Sequence, residues 1–368
     1  MSRLLKELED LDEKEDVIEA LKRESLPLVI WGAGETALEV NNYLQKNGII
    51  VADVFVDDEY YSEPFYFENK TVLSYSMLVK KYERVNVILG ASNYEKGELL
   101  ENKKGINKIF SFFSVSYGVY KKTPVNYIES RIDEFETAYQ LFEDKRSQNN
   151  YLAFLKTRVS GNSQYILDLY HKEYNFFNND VFHINEEEVL LDVGAFDGDT
   201  IRLFLRENKG SYRCIYALEP DETNRNKLKR YIKEAGLHDV IVTGKGAWNK
   251  EERLYFEACN EQISGVVMGK ENNAEKNSIE AEPLDDMFTY TEKVSMLKIN
   301  YFEGVKEAIE GAQNILRVHK PKLAITVGFD SRNIRYIPIL LKQINPDYKL
   351  YLRYNRGMVS ACTLYGLA

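Results

Sequence analysis

The stretch Leu190-Leu191-Asp192-Val193-Gly194-Ala195-Phe196-Asp197-Gly198-Asp199-Thr200 decides how this chain is read. An apolar run enters Asp192, Gly194 and Gly198 supply a turn, and Asp199-Thr200 stands where a helix should start. Glycines at such a turn let a ligand approach the backbone closely. The helix N-terminus behind them offers unpaired N–H groups to an anionic group. Twenty-five residues after Gly194, the next apolar run, Cys-Ile-Tyr-Ala-Leu, ends at Glu219. A carboxylate there can accept from both hydroxyls of a ribose, as in dinucleotide sites. Either feature alone has an ordinary explanation, a tight turn or a solvated acid. Together they point to a nucleoside cofactor, and the pattern D-x-G-x-x-x-G favours S-adenosylmethionine (SAM) over the G-x-G-x-x-G of nicotinamide sites.

Outward from this motif the pattern alternates between strand and helix. Strands are expected near 188–193, 213–219, 239–245, 294–299, 322–327, 348–354 and 360–366, with helices near 199–208, 221–235, 303–318 and 331–343. Seven strands with helices between most of them make a doubly wound, Rossmann-like α/β domain over 186–368. A smaller parallel α/β domain is expected over 26–120. Its strand LPLVIW runs into Gly32-Ala33-Gly34, a helix follows, and Asp57 ends the next strand. That is G-x-G-x-x-A with an acid 25 residues on, and two readings stand. Gly32, Gly34 and Asp57 contact the phosphate and ribose of a nucleotide, or the glycines serve only helix–strand packing. Aromatic residues at three- and four-residue steps make 121–185 a helical connector. Residues 2–24 read as an amphipathic N-terminal helix (segment 1–25) that packs on the first domain or forms a homodimer contact.

Composition narrows the function classes. A net charge of −10 over 368 residues opposes tracking of a phosphate backbone, so nucleic acid is not the expected partner. No apolar run reaches membrane-span length, and the N-terminus lacks a leader-like apolar core, so a cytoplasmic protein is expected. Three scattered cysteines and four histidines form no metal-ligand spacing. A small molecule or a glycan suits this composition as substrate.

The second half resembles the FkbM family of SAM-dependent methyltransferases over roughly 130–368, through DVGAFDGDT, ALEPD, GKGAWNKEERLYF, IEAEPLDDM, LKIN, EGAQNILRVHKPKLAI and YKLYLRY. The resemblance implies O-methylation of a hydroxyl of a sugar, glycan or related natural product. It places Asp192, Gly194, Ala195, Asp197, Gly198 and Thr200 around the methionine part of SAM. Glu219 and Asp221 fall on the ribose, and Gly246, Ala247 and Trp248 beside the adenine. The first half resembles half-Rossmann modules that precede sugar-modifying transferases, some of which bind nucleotide sugars.

On the acceptor side the pattern departs from the family. Where it carries K-I-D-x-E-G-A-E, this chain reads Lys298-Ile299-Asn300-Tyr301-Phe302-Glu303-Gly304-Val305, and a late Glu is Ala361. Lys298, Asn300 and Glu303 are the catalytic candidates. An amide orients a hydroxyl but is no base, so Glu303, Asp330, Asp285 and His183 stand as alternative bases. A SAM- or nucleotide-binding scaffold without turnover is the competing reading.

Overall fold

The computed structural model describes residues 3–9, 16–90, 97, 99–111, 122–167, 169, 171–255, 278–287, 293–301, 304–355 and 361–368. The chain divides into two compact units. The first comprises Met1–Ile132, Leu152–Tyr170 and Gly357–Val359, and the second Asp133–Tyr151, His171–Arg356 and Ser360–Ala368. The segment read as a connector is thus shared between them.

In the first unit, α1 (Arg3–Glu9) and α2 (Val17–Lys22) replace the single helix expected over 2–24. Asp16 starts α2 as its N-cap, accepting from the backbone N–H of Ile18 and Glu19. The apolar positions of α2, Val17, Ile18 and Leu21, are buried in the core of their own unit. The remaining elements are β1 (Leu28–Trp31), α3 (Glu35–Lys46), β2 (Asp53–Val56), a hairpin of β3 (Tyr66–Phe67) and β4 (Lys70–Thr71), β5 (Leu73–Ser74), α4 (Tyr75–Lys81), β6 (Val85–Leu89) and β7 (Ile106–Phe110). The sheet runs β5-β2-β1-β6-β7 with every pair parallel. Its strands are continuous apolar runs because both faces are covered. Val54, Val56, Ile30 and Ile88 pack beneath α2 and α3, while Val29, Phe55 and Val87 pack with Leu78 of α4.

Helices α5 (Val125–Glu129), α6 (Ile132–Gln140), α7 (Lys145–Ser160) and α8 (Gln164–Leu167) follow. The second unit then builds β8 (Val189–Val193), α9 (Asp199–Glu207), β9 (Cys214–Leu218), α10 (Glu222–Glu234), β10 (Val240–Thr243), β11 (Gly246–Ala247), β12 (Glu252–Tyr255), β13 (Ser278–Glu282), α11 (Leu284–Met287), β14 (Met296–Ile299), α12 (Val305–Glu310), β15 (Lys322–Thr326), α13 (Ser331–Ile344), β16 (Lys349–Tyr354) and β17 (Cys362–Leu367). Its main sheet has the order β10-β9-β8-β14-β15-β17-β16, parallel except for β17, which runs against both neighbours. This is the seven-stranded doubly wound architecture the sequence predicts.

Two features of the second unit depart from expectation. A small sheet, β11-β13-β12, stands beside the main one. The helix expected over 303–318 is broken, because α12 stops at Gly311 and a π turn covers Ile315–His319. A Cβ at Gly311 would collide with the carbonyl of Trp248, so the chain packs there at a distance only glycine allows. Among the described residues no helix is long and apolar enough to cross a membrane.

Candidate functional site

In an open parallel sheet, ligands bind beyond the carboxyl ends of the strands where the strand order reverses. Here that point is β8, flanked by β9 on one side and β14 on the other. The loop leaving β8 is the glycine motif. Gly194 has φ +79°, and a Cβ there would lie 2.5 Å from the carbonyl oxygen of Asn300. The N–H groups of Gly194 and Ala195 both donate to the carbonyl of Leu218, which ties the loop to the end of β9. Phe196 also adopts a positive φ, of 50°, an uncommon strain for a bulky residue. Gly198, at φ +89°, leads into α9 with Tyr231 packed against it.

Three charged groups sit under this loop on one face of the sheet. Asp192 and Lys298 are fully buried cross-strand partners. Lys298 Nζ donates to Asp192 Oδ1 at 2.7 Å and to the carbonyl of Gly194 at 2.8 Å. The Phe176 ring centroid lies 5.7 Å from the same ammonium. Among the described residues Asp192 Oδ2 is buried without a hydrogen-bond partner. Burial raises the Asp192 carboxyl above its ordinary range, and Lys298 pulls it back. Glu219, 4% exposed, accepts from the N–H of Phe196 at 2.8 Å and of Asp221 at 2.9 Å. Burial is the stronger influence and pushes its carboxyl up to about 7.

The structure therefore brings Asp192, Gly194, Ala195 and Glu219 together at the switch point, with Asn300 beside Gly194. Other sequence candidates have local tasks. Asp197 pairs with Arg202, and buried Thr200 donates its N–H to Asp199. Asp221 caps α10 by accepting from the N–H of Asn224. Gly246 and Ala247 form β11, and Trp248 packs with Leu254, Ile279 and Ala281 while Gly304 lies against its ring. Lys298 is a catalytic candidate by sequence, but its buried ammonium is committed to Asp192 and Gly194, which makes it a support of the loop. Glu303 lies outside the described residues. Asp285 accepts from the N–H of Asn314 and Ile315, and Asp330 caps α13 and pairs with Arg332. His183 belongs to the opposite end of the sheet, where its carbonyl accepts from Lys322 at the start of β15.

In the first unit, Gly32 has φ +108°, and its missing Cβ leaves room for the carbonyl of Gly90. Gly34 has an ordinary φ of −91° and nothing within 4 Å of a built Cβ. Asp57 accepts from Trp31 Nε1 at 3.0 Å and from Lys103 Nζ at 2.9 Å. A ribose at that carboxylate would share it with Lys103. Phe176 belongs to the aromatic-then-Asp segment 176–180 of the family resemblance, but the sequence assigns it no role, because its place over Lys298 depends on the fold. Sequence reading missed Arg353, held by Asp144 and Asp180. Among the described residues no group of His, Cys, Asp or Glu could hold a metal ion.

The fold is that of a solved structure, the methyltransferase FkbM from Methylobacillus flagellatus KT, at TM-score 0.72 and 18% identity over 99% of this chain and 98% of that one. Shorter matches include an rRNA methylase from Streptococcus thermophilus (TM-score 0.31, 17% identity, 50% of this chain and 87% of that one). A SAM-dependent methyltransferase from Aquifex aeolicus also matches (TM-score 0.30, 14% identity, 49% and 83%). No protein-family model matches the sequence. No curated protein matches it either.

Proposed function

We propose that the second unit binds SAM and that the chain is a methyltransferase acting on a hydroxyl of a sugar, glycan or related natural product. The observation that carries this reading is Glu219, a buried carboxylate at the end of β9 beside the glycine loop. A buried acid is costly unless something compensates it, and two ribose hydroxyls are the donors that fit this position. The orphaned Asp192 Oδ2 is a second acceptor suited to an ammonium, and the open glycine turn admits the ligand between them. The residues present thus fit SAM, whose methyl carbon is activated by its positive sulfur when bound.

The protein's own contribution is then positioning. Lys298 holds Asp192 and the Gly194 carbonyl, Glu219 fixes the ribose end, and Asn300 orients the acceptor oxygen. The FkbM methyltransferase, alike in fold along the whole chain, supports the reading of this chain as a methyltransferase. The first unit, with its glycine loop, is proposed to bind a nucleotide sugar, the ligand that loop suits.

Calorimetry with SAM and S-adenosylhomocysteine (SAH) tests this. Wild type should bind both and Glu219→Ala neither, whereas no wild-type binding at millimolar ligand would end the proposal. Asn300, standing where an acid is expected, favours the scaffold reading. Methyl release from labelled SAM into a glycan extract, lost in Glu219→Ala, would exclude it.

A further inference from the structure

Along the carboxyl edge of one sheet face the polar side chains can be accounted for almost completely. Side chains alternate along a strand, so the face that buries Leu190, Ala217, Met296, Ala324 and Tyr365 also carries Asp192, Glu219, Lys298, Asn300, Thr326 and Thr363. Ile299 lies opposite Ile325, so Asn300 directly follows β14 at the end where Thr326 closes β15, and Thr326 faces Thr363 in β17. Asp192 and Lys298 hold each other. Thr363 Oγ1 accepts from Asn355 Nδ2 at 2.9 Å. Beyond the groups assigned to the cofactor, two remain. Among the described residues the Thr326 hydroxyl, on a residue 2% exposed, has no hydrogen-bond partner, and the half-buried Asn300 amide makes no hydrogen bond to another of them. Asn300 also adjoins the cofactor loop through its backbone, its N–H donating to the Val193 carbonyl and its own carbonyl facing Gly194.

A buried hydroxyl left unpaired is costly to the fold, so it calls for a partner. We propose that Asn300 and Thr326 form the seat of the methyl acceptor, and that this seat selects a neutral alcohol over an ionised group. This rests on the cofactor reading above. An amide and a hydroxyl each donate and accept, which matches an alcohol oxygen that must do both. The charge that the protein places in the row is cancelled within it, Lys298 by Asp192, or committed to the cofactor, so an entering carboxylate, phosphate or ammonium would lose its water and find no further opposite charge supplied by the protein. Both residues determine specificity by touching the acceptor.

The test uses the full chain, with SAH formation as readout. The panel consists of methyl glycosides of neutral hexoses and myo-inositol, set against glucosamine and glucuronic acid. Calorimetric SAH affinity is measured alongside. SAH should form with neutral members, and Thr326→Val and Asn300→Leu should each raise KM for the neutral acceptor about tenfold, with SAH affinity within about twofold of wild type. Thr326→Ser, which keeps the hydroxyl, should restore the wild-type KM. Wild-type KM in Thr326→Val and Asn300→Leu, turnover of charged members alone, or SAH binding without turnover of any member would each overturn the seat. A wild-type protein that fails to bind SAH removes the cofactor reading instead, and calorimetry shows that before any acceptor is added.

Discussion

Replacing Glu219 by Gln should destabilise the second unit, relative to wild type, at acid pH and stabilise it at alkaline pH. Burial lifts this carboxyl from 4.5 to about 7, against the pull of the Asp221 and Phe196 N–H groups. An acid with a raised folded value holds its proton more tightly in the fold. Its contribution is therefore neutral below 4.5, turns against folding as pH rises from there to about 7, and is constant above that. The full cost is about 3 kcal/mol, and about 2.5 kcal/mol of it develops between about pH 5 and about pH 8. Gln carries no charge and escapes this cost. It keeps at most one of the two N–H bonds, which lowers its stability by about 1–2 kcal/mol at every pH. The slope with pH, and not the level, therefore carries the information. Trp31 and Trp248 are the chain's two tryptophans and fall one in each unit. Urea unfolding of a Trp31→Phe background followed through Trp248 thus reports the second unit. If the stability difference between the parent and its Glu219→Gln variant stays constant within about 0.5 kcal/mol across that range, Glu219 titrates as an ordinary exposed acid and calls for no compensating ligand.

Lys298→Met should lower stability by about 3–5 kcal/mol by stranding the Asp192 carboxylate, and adding Asp192→Asn should recover most of the loss in thermal melts. Gly194→Ala forces a Cβ against the Asn300 carbonyl at φ +79°, so the melting temperature should fall by the equivalent of about 3 kcal/mol. Gly34→Ser supplies α3 with the side-chain cap it lacks and should stabilise the first unit by about 0.5 kcal/mol without strain. Calorimetry of that variant with a nucleoside diphosphate sugar separates the two readings of this loop, since affinity present in wild type and lost on adding the serine marks a binding loop.

Much of the fold was legible in the chain. Strands buried on both faces, such as Val189–Val193 and Met296–Ile299, are nearly unbroken apolar runs, and the turns that demand positive φ carry Gly194 and Gly198. The short strands Leu73–Ser74 and Gly246–Ala247 were not legible, because two residues hold no periodicity and their pairing is set by distant partners. The break after Glu310 escaped for a similar reason, since nothing local in the sequence announces that Gly311 meets the Trp248 carbonyl.

The site divides along the same line. Sequence by itself determined the glycine loop and the acid that follows it at Glu219, because close backbone approach and a strand-end carboxylate each leave a mark on residue type and spacing. Tertiary structure alone decided what those residues can do. Parallel pairing of β8 with β14 sets Lys298 against Asp192 across 106 residues of chain and leaves one carboxylate oxygen open. The next strand ends with the Thr326 hydroxyl buried at the same edge of the sheet, and burial moves Glu219 to the edge of ionisation. Charge pairing and desolvation depend on which side chains meet in space and how much water they lose, and no local pattern of residues records that.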